Sequence, residues 1–185
     1  MNAIWDSFLL VLASEMGDKT QLLALVLVAR FKKPWTVLAG IFVATILNHA
    51  LAAWTGGWIG NQVPENYLRI GLALTFFAFG AWLLIPDKDE GLNYGTRYGA
   101  FLTTTVAFFF AEMGDKTQLA TIALGARFTD VTAVTLGSTL GMLVANGLAV
   151  GFGEQLLKRI PMKWIRIFAC ILFVGFGLAN YLRWV

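Results

Sequence analysis

The octapeptide Glu15-Met16-Gly17-Asp18-Lys19-Thr20-Gln21-Leu22 recurs as Glu112-Met113-Gly114-Asp115-Lys116-Thr117-Gln118-Leu119. Each copy lies deep inside a long apolar run. A charged side chain at the centre of a membrane helix costs about 2.5–3.5 kcal/mol on insertion scales. Four carboxylates and two lysines so placed must therefore face one another or a wet cavity. In a continuous helix, residues i and i+3 share a face. The spacing thus predicts Glu15, Asp18 and Gln21 on one stripe, with Ser14 on its flank. Glu112, Asp115 and Gln118 form the second stripe. Bringing the two faces together makes a cluster of four carboxylates ringed by amide and hydroxyl oxygens. That is an all-oxygen site for a hard divalent cation such as Mn²⁺, Ca²⁺ or Mg²⁺, which residue types alone do not rank. No cysteine lies near the motifs and the one histidine is His49, so Cu(I) and structural zinc are poor fits.

The remaining polar residues each have two readings. Lys19 and Lys116 follow the glutamates by four residues, which suits an intrahelical ion pair. As charge balancers they bring four carboxylates to a net −2, which one divalent cation or two protons would neutralise. Electroneutral exchange of one for the other is then expected, because burial disfavours a bare carboxylate and lets protons compete. Gly17 and Gly114 serve either close helix packing or local unwinding that exposes carbonyls. Asn48, His49 and Asn146 are either interhelical hydrogen bonders or auxiliary ligands and proton relays. Gly137 to Gly141 and Gly147 to Gly151 have the small-xxx-small spacing of packed helices.

These residues sit in a chain that is written twice. At an offset of 97, Ala29-Arg30-Phe31 maps onto Ala126-Arg127-Phe128, Gly40 onto Gly137, and His49 onto Asn146. Pro64 likewise maps onto Pro161, Arg69-Ile70 onto Arg166-Ile167, and Phe79-Gly80 onto Phe176-Gly177. Six apolar runs are long enough to span a bilayer: 4–29, 35–58, 67–85, 99–126, 131–152 and 163–184. The expected fold is therefore an all-α membrane protein of six transmembrane helices in two three-helix repeats, 1–85 and 99–185, joined by a cytoplasmic linker, 86–98. Because three is odd, the second repeat enters the membrane from the opposite side. The two motifs then meet near the midplane, where secondary transporters of inverted-repeat design bind substrate.

Composition agrees. Of the 185 residues, 58% are hydrophobic and 14% charged, with a net charge of +3 and a mean hydropathy of +0.69. A soluble enzyme, a disordered chain and a nucleic-acid binder are thereby disfavoured. Too little chain lies outside the spans for a soluble catalytic domain, and no Ser/His or His-rich spacing suits an intramembrane enzyme. Trp5, Trp35, Trp58, Trp82, Trp164 and Trp184 fall near span ends, and only Trp54 lies further in. The loops after spans 1, 3 and 5 carry nine basic residues and the opposite side three, Arg69, Arg127 and Arg183. The positive-inside rule puts the nine in the cytoplasm and both termini outside. The run Asp87-Lys88-Asp89-Glu90 is a solvated loop or a cation-attracting vestibule. Within transporters the competing reading is a six-span exporter of an amino acid or other small organic solute, which needs a roomier, partly apolar pocket. A structural or chaperone-like membrane protein using the charges for assembly is the reading outside transport.

With both Glu-Met-Gly-Asp-Lys-Thr motifs in place, the sequence resembles the six-span Mn²⁺/Ca²⁺:H⁺ exchangers of Golgi, chloroplast and bacterial membranes. The resemblance covers essentially the whole chain. It implies that Glu15, Asp18, Glu112 and Asp115 hold the metal and that Thr20 and Thr117 support it. It also implies manganese export from the cytosol driven by proton entry. No resident cofactor is expected, since Mn²⁺ or Ca²⁺ is the transported substrate. The partners are the ion, protons and the lipid bilayer, with the oligomeric state left open. The compact length fits a bacterial plasma-membrane member.

Overall fold

The computed structural model describes residues 2–85, 99–159 and 162–183. The linker 86–98, with Asp87 to Glu90, lies outside them. The described residues form helices α1 (Ala3–Glu15), α2 (Lys19–Phe31), α3 (Pro34–Gln62), α4 (Glu65–Leu83), α5 (Ala100–Glu112), α6 (Lys116–Phe128), α7 (Val131–Arg159) and α8 (Met162–Arg183). Local chemistry sets several ends. Asn2 caps α1 by accepting from the Ile4 and Trp5 amides at 3.1 and 3.4 Å. Pro34 opens α3 at the first helical position, where its missing N–H costs nothing. Helices α1, α2 and α3 begin 97 residues before α5, α6 and α7, and end 97 residues before them too.

Four of these helices are long and apolar enough to cross a membrane: Pro34–Gln62, Glu65–Leu83, Val131–Phe152 and Lys163–Leu182. The apolar runs 4–29 and 99–126 are each interrupted, so of the two readings of Gly17 and Gly114 it is local unwinding that the structure shows. Each is two 13-residue helices, each about 20 Å long at 1.5 Å per residue and so short of a 30 Å hydrocarbon core. The cause of the break is local. Gly17 and Gly114 take φ of +82° and +80°, a conformation that ends a helix and that side-chain-bearing residues resist.

The broken pairs run alongside the long helices of the opposite half. A Cβ added at Gly40 would meet the Phe101 carbonyl at 2.9 Å, at Gly56 the Ile122 carbonyl at 2.0 Å, and at Gly60 the Ala126 carbonyl at 2.3 Å. Between these, the Asn48 amide donates to the Phe109 carbonyl at 2.9 Å. The α5–α6 pair thus follows α3 in parallel over about 30 Å of helix. On α7, Gly137 and Gly141 lie as tightly against the Ile4 and Phe8 carbonyls of α1, as their spacing leads one to expect. Gly147 and Gly151 do not follow it: a Cβ there would meet nothing within 4 Å.

Two apolar clusters, around Phe76 and Phe173 and around Phe108 and Ile41, lie inside, but the interior also holds many polar side chains, and many large apolar ones face outward. Ser7, Thr20, Gln21, Thr45, Asn48, His49, Thr117, Ser138 and Asn146 are fully buried, whereas Trp5, Trp35, Trp54, Trp58 and Trp164 are exposed. Helices in lipid gain cohesion from close packing and hydrogen bonds rather than from burying apolar area. Gly56→Ala should accordingly lower thermal stability in detergent by on the order of 1–3 kcal/mol, as overpacking does. An unchanged melting temperature would contradict the backbone contact between α3 and α6.

Candidate functional site

Glu15 is the last residue of α1 and Asp18 the N-cap of α2. Glu112 and Asp115 hold the same places at the ends of α5 and α6. At each break, therefore, a helix C-terminus and a helix N-terminus flank the acids, and the N-terminal dipole of α2 or α6 favours negative charge. The i, i+3 stripe of Glu, Asp and Gln does not form, because the helix is interrupted between the first two.

Burial at the breaks is nearly complete. Glu15, Glu112, Asp18 and Asp115 are 0, 1, 7 and 7% exposed. Glu15, Glu112 and Asp115 each bring one carboxylate oxygen to within 4.8 Å of the others. Asp18 is not in this set; its Oδ1 accepts from the Lys19 backbone amide at 2.7 Å. Of the four acids expected to cluster, three come this close together, and Asp18, which caps α2, is not among them.

The two halves are not used equally. Thr20 donates to Glu15 Oε2 at 2.8 Å, and Thr117, from the other half, donates to Glu15 Oε1. Ser14 lies 3.5 Å from Thr117 Oγ1. Both oxygens of Glu112, and Oδ2 of Asp115, have no hydrogen-bond partner among the described residues. An unpartnered buried carboxylate is costly. Three convergent acids with open lone pairs are therefore what a hard cation would satisfy.

The lysines depart from the intrahelical pairing with Glu15 and Glu112. Lys19 Nζ lies 3.6 Å from Asp115 Oδ1, across the two halves. Lys116 Nζ donates to the Ile85 carbonyl at 3.1 Å and sits 5.5 Å from the centre of the Trp82 ring. Trp82 and Ile85 were not legible as site neighbours, because Trp82 reads as an ordinary interfacial ring.

Gln21 and Gln118 are fasteners in this arrangement. Gln21 Oε1 accepts from the Gly17 amide at 2.8 Å and Gln118 Oε1 from the Gly114 amide at 2.7 Å. The Gln21 Nε2 also donates to the Ala145 carbonyl at 2.8 Å, tying the break to α7. Asn48 is an interhelical hydrogen bonder, and Asn146 donates within α7 to Met142 at 3.1 Å. Neither ring nitrogen of His49 has a hydrogen-bond partner among the described residues. A small pocket lies at the first break, lined by Ser14, Gly17, Asp18, Leu83, Lys116 and Arg166, among others.

Broken helices meeting over buried acids, in a bundle with outward apolar faces, define a membrane transporter of cations. Comparison with known proteins agrees. The model of the family "Divalent cation/proton antiporter GDT1" matches residues 3–91 and 100–184, and the chain belongs to that family. It is 42% identical to a Vibrio cholerae protein named "Putative manganese exporter", over 97% of this chain and 90% of that one. It is 27% identical to a GDT1-like protein of Synechocystis, covering 98% and 97%, and 27% identical to GDT1-like protein 3 of Arabidopsis thaliana, covering 97% and 70%. No solved structure matches the chain. The family assignment decides against the organic-solute and assembly readings.

Proposed function

We propose that this multi-pass membrane antiporter exports Mn²⁺ from the cytosol in exchange for protons, with Ca²⁺ as a second substrate. The observation that carries the reading is the buried group formed by Glu15, Glu112 and Asp115, in which both oxygens of Glu112 and one of Asp115 have no hydrogen-bond partner among the described residues. Asp18, Thr20 and Thr117 complete the site, Gln21 and Gln118 hold the breaks, and Asn48, His49 and Asn146 form a polar surround. The name of the Vibrio relative supports manganese. One divalent ion replaces two protons, because the motif acids and lysines sum to −2.

Each broken pair acts as one crossing, so six crossings arise as two inverted repeats, 1–85 and 99–185, with 86–98 between them. The course of α5–α6 along α3 from Gly40 to Gly60 supports this count. The membrane is the plasma membrane of a bacterium, and the excess of basic residues in three loops supports termini outside the cytoplasm.

Purified protein in liposomes, loaded in turn with Mn²⁺, Ca²⁺ and Mg²⁺ under an imposed pH gradient, tests the reading. Mn²⁺ should move fastest, with opposite proton flux and no dependence on a clamped membrane potential. Ion movement without proton flux would overturn the exchange, and a current would overturn the stoichiometry.

A further inference from the structure

The two motif lysines hold equivalent places in the sequence, as the first residues of α2 and α6, yet their side chains are engaged differently. Lys116 is buried. Its Nζ donates to the Ile85 carbonyl at 3.1 Å and lies 5.5 Å from the centre of the Trp82 ring, so both partners belong to α4 or the residues just past it. Lys19 reaches across the two halves instead. Its Nζ lies 3.6 Å from Asp115 Oδ1, and its side chain is 33% exposed where that of Asp115 is 5% exposed. Asp115 is one of the three acids that converge with oxygens within 4.8 Å, and its Oδ2 has no hydrogen-bond partner among the described residues. A separation of 3.6 Å is an ion pair beyond hydrogen-bond length. It is made by a compact point charge on a flexible stem. Such a contact supplies charge to the acid group without a fixed geometry, and an ion with better claims on the oxygens can displace it.

Resting on the exchange reading above, we propose that Lys19 sets the charge selectivity of the site: its ammonium is the tethered monovalent counter-cation of the ion-free acid group, and a divalent ion takes its place at Asp115. A free monovalent cation would exchange one positive charge for another. It would also give up its own freedom, which the tethered ammonium has already lost to the chain. It therefore gains nothing by entering. A divalent cation brings twice the charge to the same oxygens, and its attraction to each carboxylate doubles with it. The site thereby rejects Na⁺ and K⁺ and admits ions such as Mn²⁺ and Ca²⁺. Lys116, seated on Trp82 and the Ile85 carbonyl, takes no part in that choice, although the eight residues of its motif are identical to those around Lys19.

Isothermal titration of Mn²⁺ into the purified full chain in detergent tests this, at one ionic strength in either sodium chloride or choline chloride. Choline is too large for a site of bare-ion size. The unaltered protein should bind Mn²⁺ equally in the two salts. Lys19→Gln should bind on the order of tenfold more tightly in choline, a Coulomb gain discounted for screening at a partly exposed group. It should lose that gain in sodium, which now fills the vacated place. Lys19→Arg keeps the charge and should again bind equally in both salts, while Lys116→Gln should show no dependence on sodium. Binding by Lys19→Gln that is unchanged or weaker in choline overturns the proposal, since a merely structural lysine would weaken binding on removal. Equal sodium competition in Lys116→Gln also overturns it, because total charge rather than position would then decide. So does sodium sensitivity in Lys19→Arg, a result that does not depend on the glutamine variant folding. Absence of Mn²⁺ binding in the unaltered protein is a different failure, which overturns the exchange reading itself and the selectivity that rests on it.

Discussion

Glu112→Gln abolishes transport while the protein stays folded: this is the largest effect expected of any single substitution. Two unit charges 4 Å apart interact by about 4 kcal/mol at an effective dielectric of 20, and each 1.4 kcal/mol is tenfold in affinity. Removing one of three convergent carboxylates should therefore weaken ion binding on the order of 100- to 1,000-fold. The sign on stability is opposite. Both Glu112 oxygens are buried without hydrogen-bond partners among the described residues, so a neutral amide of the same shape relieves an uncompensated buried group. Melting of the ion-free protein should be unchanged or raised. Glu15→Gln separates the two effects, since its oxygens accept from Thr20 and Thr117. It should lose binding similarly but gain no stability. Isothermal titration with Mn²⁺ and thermal melts without it measure both. Binding retained within a factor of a few in Glu112→Gln would contradict the role of that carboxylate.

Gly114→Ala should reduce transport by about tenfold, and Gly114→Asn by clearly less. The glycine sits at φ +80°, and a Cβ there would meet nothing within 4 Å. The penalty is thus one of backbone conformation rather than of space. An ordinary L-residue loses about 1–2 kcal/mol in the left-handed region, which asparagine tolerates better. That strain is relieved by letting the break rewind, which draws Glu112 and Asp115 apart. Initial Mn²⁺ uptake rates in liposomes at matched protein density would order the three proteins as Gly, Asn, Ala. Equal rates for alanine and asparagine would show that the left-handed turn is dispensable.

Much of this arrangement was legible in the residues. The identical octapeptides at one offset revealed a duplication, and their acids in apolar surroundings pointed to a hard-cation site before any coordinates. Helix boundaries followed from apolar length and from punctuation such as Lys33-Pro34. What was not legible is what depends on one torsion angle. A glycine at position 17 is compatible with a straight, closely packed helix or with a break, and only the positive φ decides between them. Every consequence of the break was hidden with it: Asp18 as a cap, Gln21 and Gln118 as fasteners, and Lys19 reaching Asp115. The unequal use of Thr20 and Thr117, both on Glu15, was beyond reach for a second reason. Identical octapeptides carry no sign of which one holds the hydroxyls.

Anomalous diffraction from crystals of the protein grown with Mn²⁺ bears most directly on the central claim. A single manganese peak bounded by oxygens of Glu15, Glu112 and Asp115, lost in the Glu112→Gln protein, is the predicted result. A peak outside that group, or one at the group that persists in the variant, would contradict it.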